Sequence, residues 1–238
     1  AAAAAAVSQP GTVVVKRLVH TSWWPPSNDK WEEAVGVVSQ GTLFMTGMME
    51  PQTPLPTLNT TRDLALELED IRDIAVAGNA SLGTLVDCVA NVPVGQAAAA
   101  HAALTRLLGG PAAAPAVTVI ETKGEDPTFN SSTTCTAVVG TPDGGPPRIT
   151  RHVTGAFTTA TFGATTWVAG SGKSAAAAVA AMGAAVGTAT AGEVGVADVV
   201  DCLAFVPPAP AGVTSAAAAA VRDALDAATA GGGVGVGA

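Results

Sequence analysis

A chain of 238 residues has room for one large domain or two of about 100–120 residues each. Apolar residues make up 48% of it, enough for a core, yet only 4% are aromatic and Tyr is absent. The net charge of −8, with 11 Lys and Arg, offers no basic face to phosphates, which argues against nucleic acid as a partner. No apolar run of membrane-spanning length is present, which argues against a membrane segment.

Residues 1–12 open with "AAAAAAVSQPG", which lacks the basic start of a signal peptide. This stretch reads as a disordered tail, the remnant of a longer N-terminus, or alanines foreign to the native chain. "TVVVKRLVHT" and "EEAVGVVSQ" follow as strand candidates, separated by "HTSWWPPSNDKW" (His20 to Trp31). Three Trp and two Pro in a dozen residues make that segment a rigid apolar loop, and Trp23, Trp24 and Trp31 are candidates for contact with a protein partner. Packing in the core is the competing reading of the same tryptophans.

"GTLFMTG" (Gly41 to Gly47) is short, Thr-rich and closed by Gly, a strand ending in a turn. "NTTRDLALELEDIRDIAVAG" then places Leu64, Leu68, Ile71 and Ala75 at helical spacing, with Thr60 or Thr61 as N-cap and Gly78 as the stop. The nearly all-apolar "TLVDCVANVPV" from Thr84 reads as a strand ended by Pro93. "GQAAAAHAALTRLLGG" is a second helix, and "APAVTVIETKG" and "STTCTAVVG" are two more strands.

"GTPDGGPP" (Gly140 to Pro147) forbids both helix and central strand and reads as a linker. Beyond it the order repeats. "RITRHV", "GAFTTATF" and "ATTWVAG" are strand candidates, and "SAAAAVAAMGAAVGTATAG" is a helix capped by Ser174. "DVVDCLAFVPP" from Asp198 repeats the earlier strand almost residue for residue, and "VTSAAAAAVRDALDAATAGG" is a last helix. Such self-similarity is the signature of a duplicated unit. The expected organisation is a tail (1–12), a first domain (13–140), a linker (141–147) and a second, shorter domain (148–238). Each copy would be β-β-β-α-β-α-β-β in outline, with both helices on one face of one sheet.

Cys88 and Cys202 hold equivalent places in the repeat, and no CxxC is present. The three cysteines, with Cys135, read as small apolar core residues of a reducing compartment. Asp87 and Asp201, one in each copy, read as structural. "AGSGKS" (Ala169 to Ser174) looks like a phosphate loop, but the position that the motif requires to be Gly is Trp167. His20, His101 and His152 show no metal-binding spacing, so neither a metal nor another cofactor is expected.

The ordered set of segments resembles the Rid family (YjgF-like, reactive intermediate deaminase). "KRLVHTS" is similar to that family's opening strand. "KWEEAVGVVSQGTLFMTGMMEP" is similar to its Pro-Tyr-Ser-Gln-Ala-Val segment and the strand after it. "LVDCVANV" and "PAVTVIETKG" are similar to two later strands. The likeness runs from about Val13 to Gly140, and more faintly from Arg148 onward. It implies a chorismate-mutase-like α+β fold, here in tandem, each copy a mixed or antiparallel sheet with two helices on one face. It also implies association into rings of three, with clefts between neighbours where enamines and imines are hydrolysed. In that chemistry an Arg grips the substrate carboxylate through two charge-assisted hydrogen bonds.

By the same resemblance, the place of the carboxylate-binding Arg falls on Val117, which has neither donor nor charge. The family's Tyr falls on Trp31, its Ser-Gln on Glu32 and Glu33, and its last-strand Glu on Thr136. Glu121 matches an acidic position. The second copy stops short of these positions. The expectation is a catalytically degenerate tandem Rid-like protein serving as a subunit of a larger assembly, through other proteins or self-association. The rival is an enamine or imine hydrolase, or a small-molecule-binding protein using the same cleft. The Ala and Gly bias points to a GC-rich genome such as that of a green alga. With the cysteines read as reduced thiols, the expected setting is intracellular: a cytoplasmic, cytoskeletal or ciliary assembly, or an organelle.

Overall fold

The computed structural model describes residues 15–23, 30–39, 41–48, 59–122, 131–139, 147–199, 202, 204–205 and 216–230. Strands β1 (Val15–Trp23), β2 (Lys30–Ser39) and β3 (Thr42–Met48) form an antiparallel meander. Between β2 and β3, Gly41 takes φ 78°, a conformation that L side chains resist.

Helix α1 (Thr60–Ala77) follows. Leu64, Leu68, Ile71 and Ala75 fall on one face at spacings of four, three and four, and all four are buried. Its cap is one residue earlier than the threonines proposed from the sequence. The Asn59 side chain accepts from the Arg62 amide at 3.1 Å, and Thr60 begins the helix. Asn serves at least as well as Thr there, because its carbonyl reaches the same unpaired N–H groups. Gly78 ends the helix as expected.

Strand β4 (Leu85–Pro93), helix α2 (Ala97–Leu107), β5 (Ala116–Thr122) and β6 (Ser132–Val138) complete a six-stranded sheet in the order β1-β2-β3-β6-β4-β5. β4 and β5 run parallel, with α2 as the crossover, and the other pairs are antiparallel. Both helices cover one face. The core there joins Leu43 and Met45 of β3, Leu64 and Ile71 of α1, Cys88 and Val92 of β4, and Leu104 of α2. The element order through residue 138 is the β-β-β-α-β-α-β-β expected, and the fold is α+β.

The cysteines depart from expectation. Cys88 and Cys135 are not separate thiols: they form a disulfide. The two positions lie directly opposite each other in the β4–β6 register, which brings together residues 47 apart in sequence. No sequence spacing announces that pairing. Cys202 is exposed rather than buried.

A second, three-stranded meander holds β7 (Thr150–Thr154), β8 (Phe157–Phe162) and β9 (Thr165–Gly170). Helix α3 (Ala175–Ala189) is capped by the Ser174 side chain, which accepts from the Ala177 amide at 3.2 Å, and α4 (Ala216–Thr229) packs on α3. The repeated segment behaves differently here. Val199, Cys202, Ala204 and Phe205 are in no strand, and Phe205 is 47% exposed. β4 is flanked by β5 and β6 on both sides, whereas among the described residues no strand pairs with Val199, Cys202, Ala204 or Phe205. An apolar pattern makes a strand only where backbone partners are supplied. Asp201 lies outside the described residues.

The second sheet packs on the first across β4 and β5. Ala160, Phe162 and Trp167 meet Val86 and Val138 on the face opposite α1 and α2. Arg151 on β7 donates to the Gly83 carbonyl at 2.9 Å and the Leu85 carbonyl at 2.8 Å. None of the described helices is long and apolar enough to cross a membrane.

Candidate functional site

A cleft of about 860 Å³ opens where the two sheets meet at the β5 edge. One wall is the outer side of α2, with His101, Thr105 and Arg106. The floor includes Val117, and Val153 and Thr158 of the β7–β8 hairpin face them. The chain reverses after α2 through Gly109 (φ 94°) and Gly110 (φ 92°), which lets β5 return beneath its own helix. A volume of this size suits a small organic molecule, and the walls are largely apolar.

Val117 is 4% exposed and pairs in register with Cys88, so its isopropyl group is shared between the cleft floor and the core below. Glu121, four residues along the same face of β5, has a different task. Its carboxylate accepts from the Ala97 amide at 2.8 Å, at the first turn of α2. Gln96, the N-cap residue, makes no side-chain cap, so a strand carboxylate caps the helix instead. The N–H of Ala97, then that of Gly95 and to a lesser degree that of Gln96, holds this carboxyl below the ordinary glutamate range.

Thr136 lies on the other side of the sheet. Its neighbours Cys135 and Ala137 are buried toward the helices, while Thr136 pairs with Phe44 and Asp87 on the opposite face, where Phe44 is 52% exposed. Val117, Glu121 and Thr136 are therefore not brought together. Trp31 pairs with Ser22, and Trp23 with Lys30, in the β1–β2 ladder. The side chains of Trp23, Trp31, Glu32 and Glu33, and all of Trp24, lie outside the described residues.

The turn "AGSGKS" is explained by packing. A Cβ on Gly172 would lie 2.6 Å from the Ala178 backbone, and one on Gly170 would collide with the Phe157 ring. Its glycines allow close approach to α3 and β8.

One polar cluster was not anticipated. Glu67 of α1 is fully buried, and the hydroxyls of Ser131 and Thr133 both donate to its carboxylate. Burial pushes its pKa up to about 7. The two hydroxyls work against that, and the nearby Asp63 and Asp70 charges add to it. The signal was in the sequence: position 67 falls inside the apolar stripe of α1, three residues after Leu64. Asp87 is likewise raised to about 6 by burial, partly offset by a hydrogen bond from the Cys88 amide. Among the described residues no cluster of three or more His, Cys, Asp or Glu is placed to hold a metal ion.

Neither a protein-family model nor a curated protein matches the chain. Solved structures do. A member of the YjgF protein family from Neisseria meningitidis is similar at 15% identity and a TM-score of 0.38, over 52% of this chain and 98% of its own. TdcF of E. coli, solved with bound serine, is similar at 17% identity and a TM-score of 0.41, over 52% and 100%. A protein of unknown function from Pseudomonas aeruginosa is similar at 16% identity and a TM-score of 0.43, over 56% and 99%. The likeness spans about half of this chain.

Proposed function

We propose that this chain is a tandem Rid-like protein without the deaminase chemistry, and that it works as a structural or interaction subunit of a larger assembly. Val117 carries the reading. At the place where the Rid resemblance puts a carboxylate-binding Arg, the cleft floor presents an apolar group with no donor, already packed into the core. Glu121 is committed to capping α2, and Thr136 faces away from the cleft, so neither supplies the missing polarity. The recurrence of a three-stranded meander followed by a helix, β1-β2-β3-α1 and then β7-β8-β9-α3, supports a second, partial copy.

A second reading is favoured by the cleft itself: a small-molecule-binding protein, or an enamine or imine hydrolase, with His101 and Arg106 on the α2 wall. Ammonia and 2-keto-acid release from 2-aminoacrylate, assayed beside an active Rid enzyme, separates the hydrolase from the subunit. No acceleration is expected. A rate within about tenfold of the control, a barrier difference of about 1.4 kcal/mol, overturns the first reading. Val117→Arg alone leaves the protein inactive, because the other polar groups point elsewhere.

The interaction role rests on Trp23, Trp24 and Trp31 and on the sheet faces. Replacing Trp23 and Trp24 together by Ala weakens association with partner subunits, or with further copies, more than it lowers the melting temperature. Loss of stability in a protein that is monomeric throughout would assign the tryptophans to the core instead.

A further inference from the structure

The buried disulfide stands in the middle of a row that crosses four strands. Met45 of β3 pairs with Cys135 of β6, Cys135 with Cys88 of β4, and Cys88 with Val117 of β5. All four side chains are buried on the helix-covered side, and the last of them also floors the cleft. β4 carries two further connections: Val86 packs on Ala160 of the second sheet, and the Leu85 carbonyl accepts from Arg151. One strand therefore holds the disulfide, the backbone partner of the cleft edge and the docking point of β7–β9.

We propose that Cys88 and Cys135 form a redox-set staple that fixes β4 and, through it, both the cleft and the seating of the second sheet. The oxidant is a small-molecule or protein disulfide. One cysteine thiolate attacks it to give a mixed disulfide and one released thiol. The second thiolate then attacks the bound sulfur and releases the other thiol. The chain loses two protons and two electrons, and the oxidant carries them away as two thiols. Both sulfurs are shut away from solvent beneath α1, so exchange requires the sheet to open. The state is set as the sheet closes and is retained by the folded protein. The inference stands apart from the proposed function, since it concerns no substrate.

Purify the full chain without reductant, alkylate it in denaturant and weigh it. One labelled cysteine, Cys202, is expected before reduction and three after. Reduction of the native protein should run at least about a hundredfold slower than in denaturant, because it waits on opening. Reduced protein, and the double variant Cys88→Ala with Cys135→Ala, should melt roughly 10 °C lower. Both should show about tenfold faster amide exchange in β4, β5 and β8, with α4 unchanged. Should the double variant fail to fold, the chemically reduced wild-type chain makes the same comparison. Three labelled cysteines before reduction, or equal exchange in β4, β5 and β8 for oxidised and reduced protein, overturns the proposal.

Discussion

The Glu121 carboxylate on β5 accepts a hydrogen bond from the Ala97 amide, 2.8 Å away, at the opening turn of α2. The contact ties a helix to the strand that follows it, and it removes from the cleft an acid that the sequence places there. Because the folded state holds this carboxyl below its ordinary range, its contribution is present above pH 4.5 and fades as the pH falls further. Glu121→Gln should therefore melt lower than the wild type at pH 7, with the gap narrowing as the pH falls below 4.5. Amide exchange in the first turn of α2 should rise. A gap that stays constant as the pH falls below 4.5 would show that the charge does not act on the helix.

Glu67 has the opposite sign. Its folded-state value, about 7, lies above the unfolded value of 4.5, so folding favours the protonated acid. Nothing is lost below pH 4.5. The cost of ionisation grows as the pH rises from there to about 7 and is constant beyond, reaching on the order of 3 kcal/mol. Glu67→Gln keeps an acceptor for one of the two hydroxyls, offers an N–H to the other, which can turn to accept it, and cannot ionise. Urea denaturation should find the variant more stable than the wild type at pH 8 and close to it at pH 5. Parallel stability curves from pH 5 to 8 would mean that the buried carboxylate does not titrate in this range.

Arg151 closes the seam between the sheets. Arg151→Ala leaves the Gly83 and Leu85 carbonyls without their donor, at a cost of about 1–2 kcal/mol, and should raise amide exchange in β7–β9 more than in β2 or β3. Arg151→Lys should recover only part of this: both bonds leave the one Nη2 nitrogen, and the shorter lysine side chain ends short of that position. Uniformly raised exchange in both sheets would show that Arg151 stabilises the whole chain rather than the seam.

Local pattern made most elements legible. Helical spacing of Leu64, Leu68 and Ile71, the stop at Gly78, the cap at Ser174 and the Thr-rich strands from Thr42, Phe157 and Thr165 all depend on neighbours in sequence. These carry their own periodicity or hydrogen-bonding partner within a few residues. Even the cap of α1 was missed by a single position, Asn59 for Thr60, because adjacent residues of similar chemistry compete for the same amides.

What the tertiary structure alone decided involves partners far apart in the chain. Val86, Asp87 and Cys88 are a strand because β5 and β6 flank them, whereas Cys202, the described residue of the repeated Val-Asp-Cys, is in no strand. Cys88 is bonded and Cys202 exposed for the same reason: sheet order, rather than spacing, sets Cys135 opposite one of them. Glu67 was visible as an acid in an apolar stripe, but its two hydroxyl partners, 64 and 66 residues away, were not. Glu121 and Val117 share one face of one strand, and only the return of α2 over that strand gave one of them a helix to cap and the other a cleft to line.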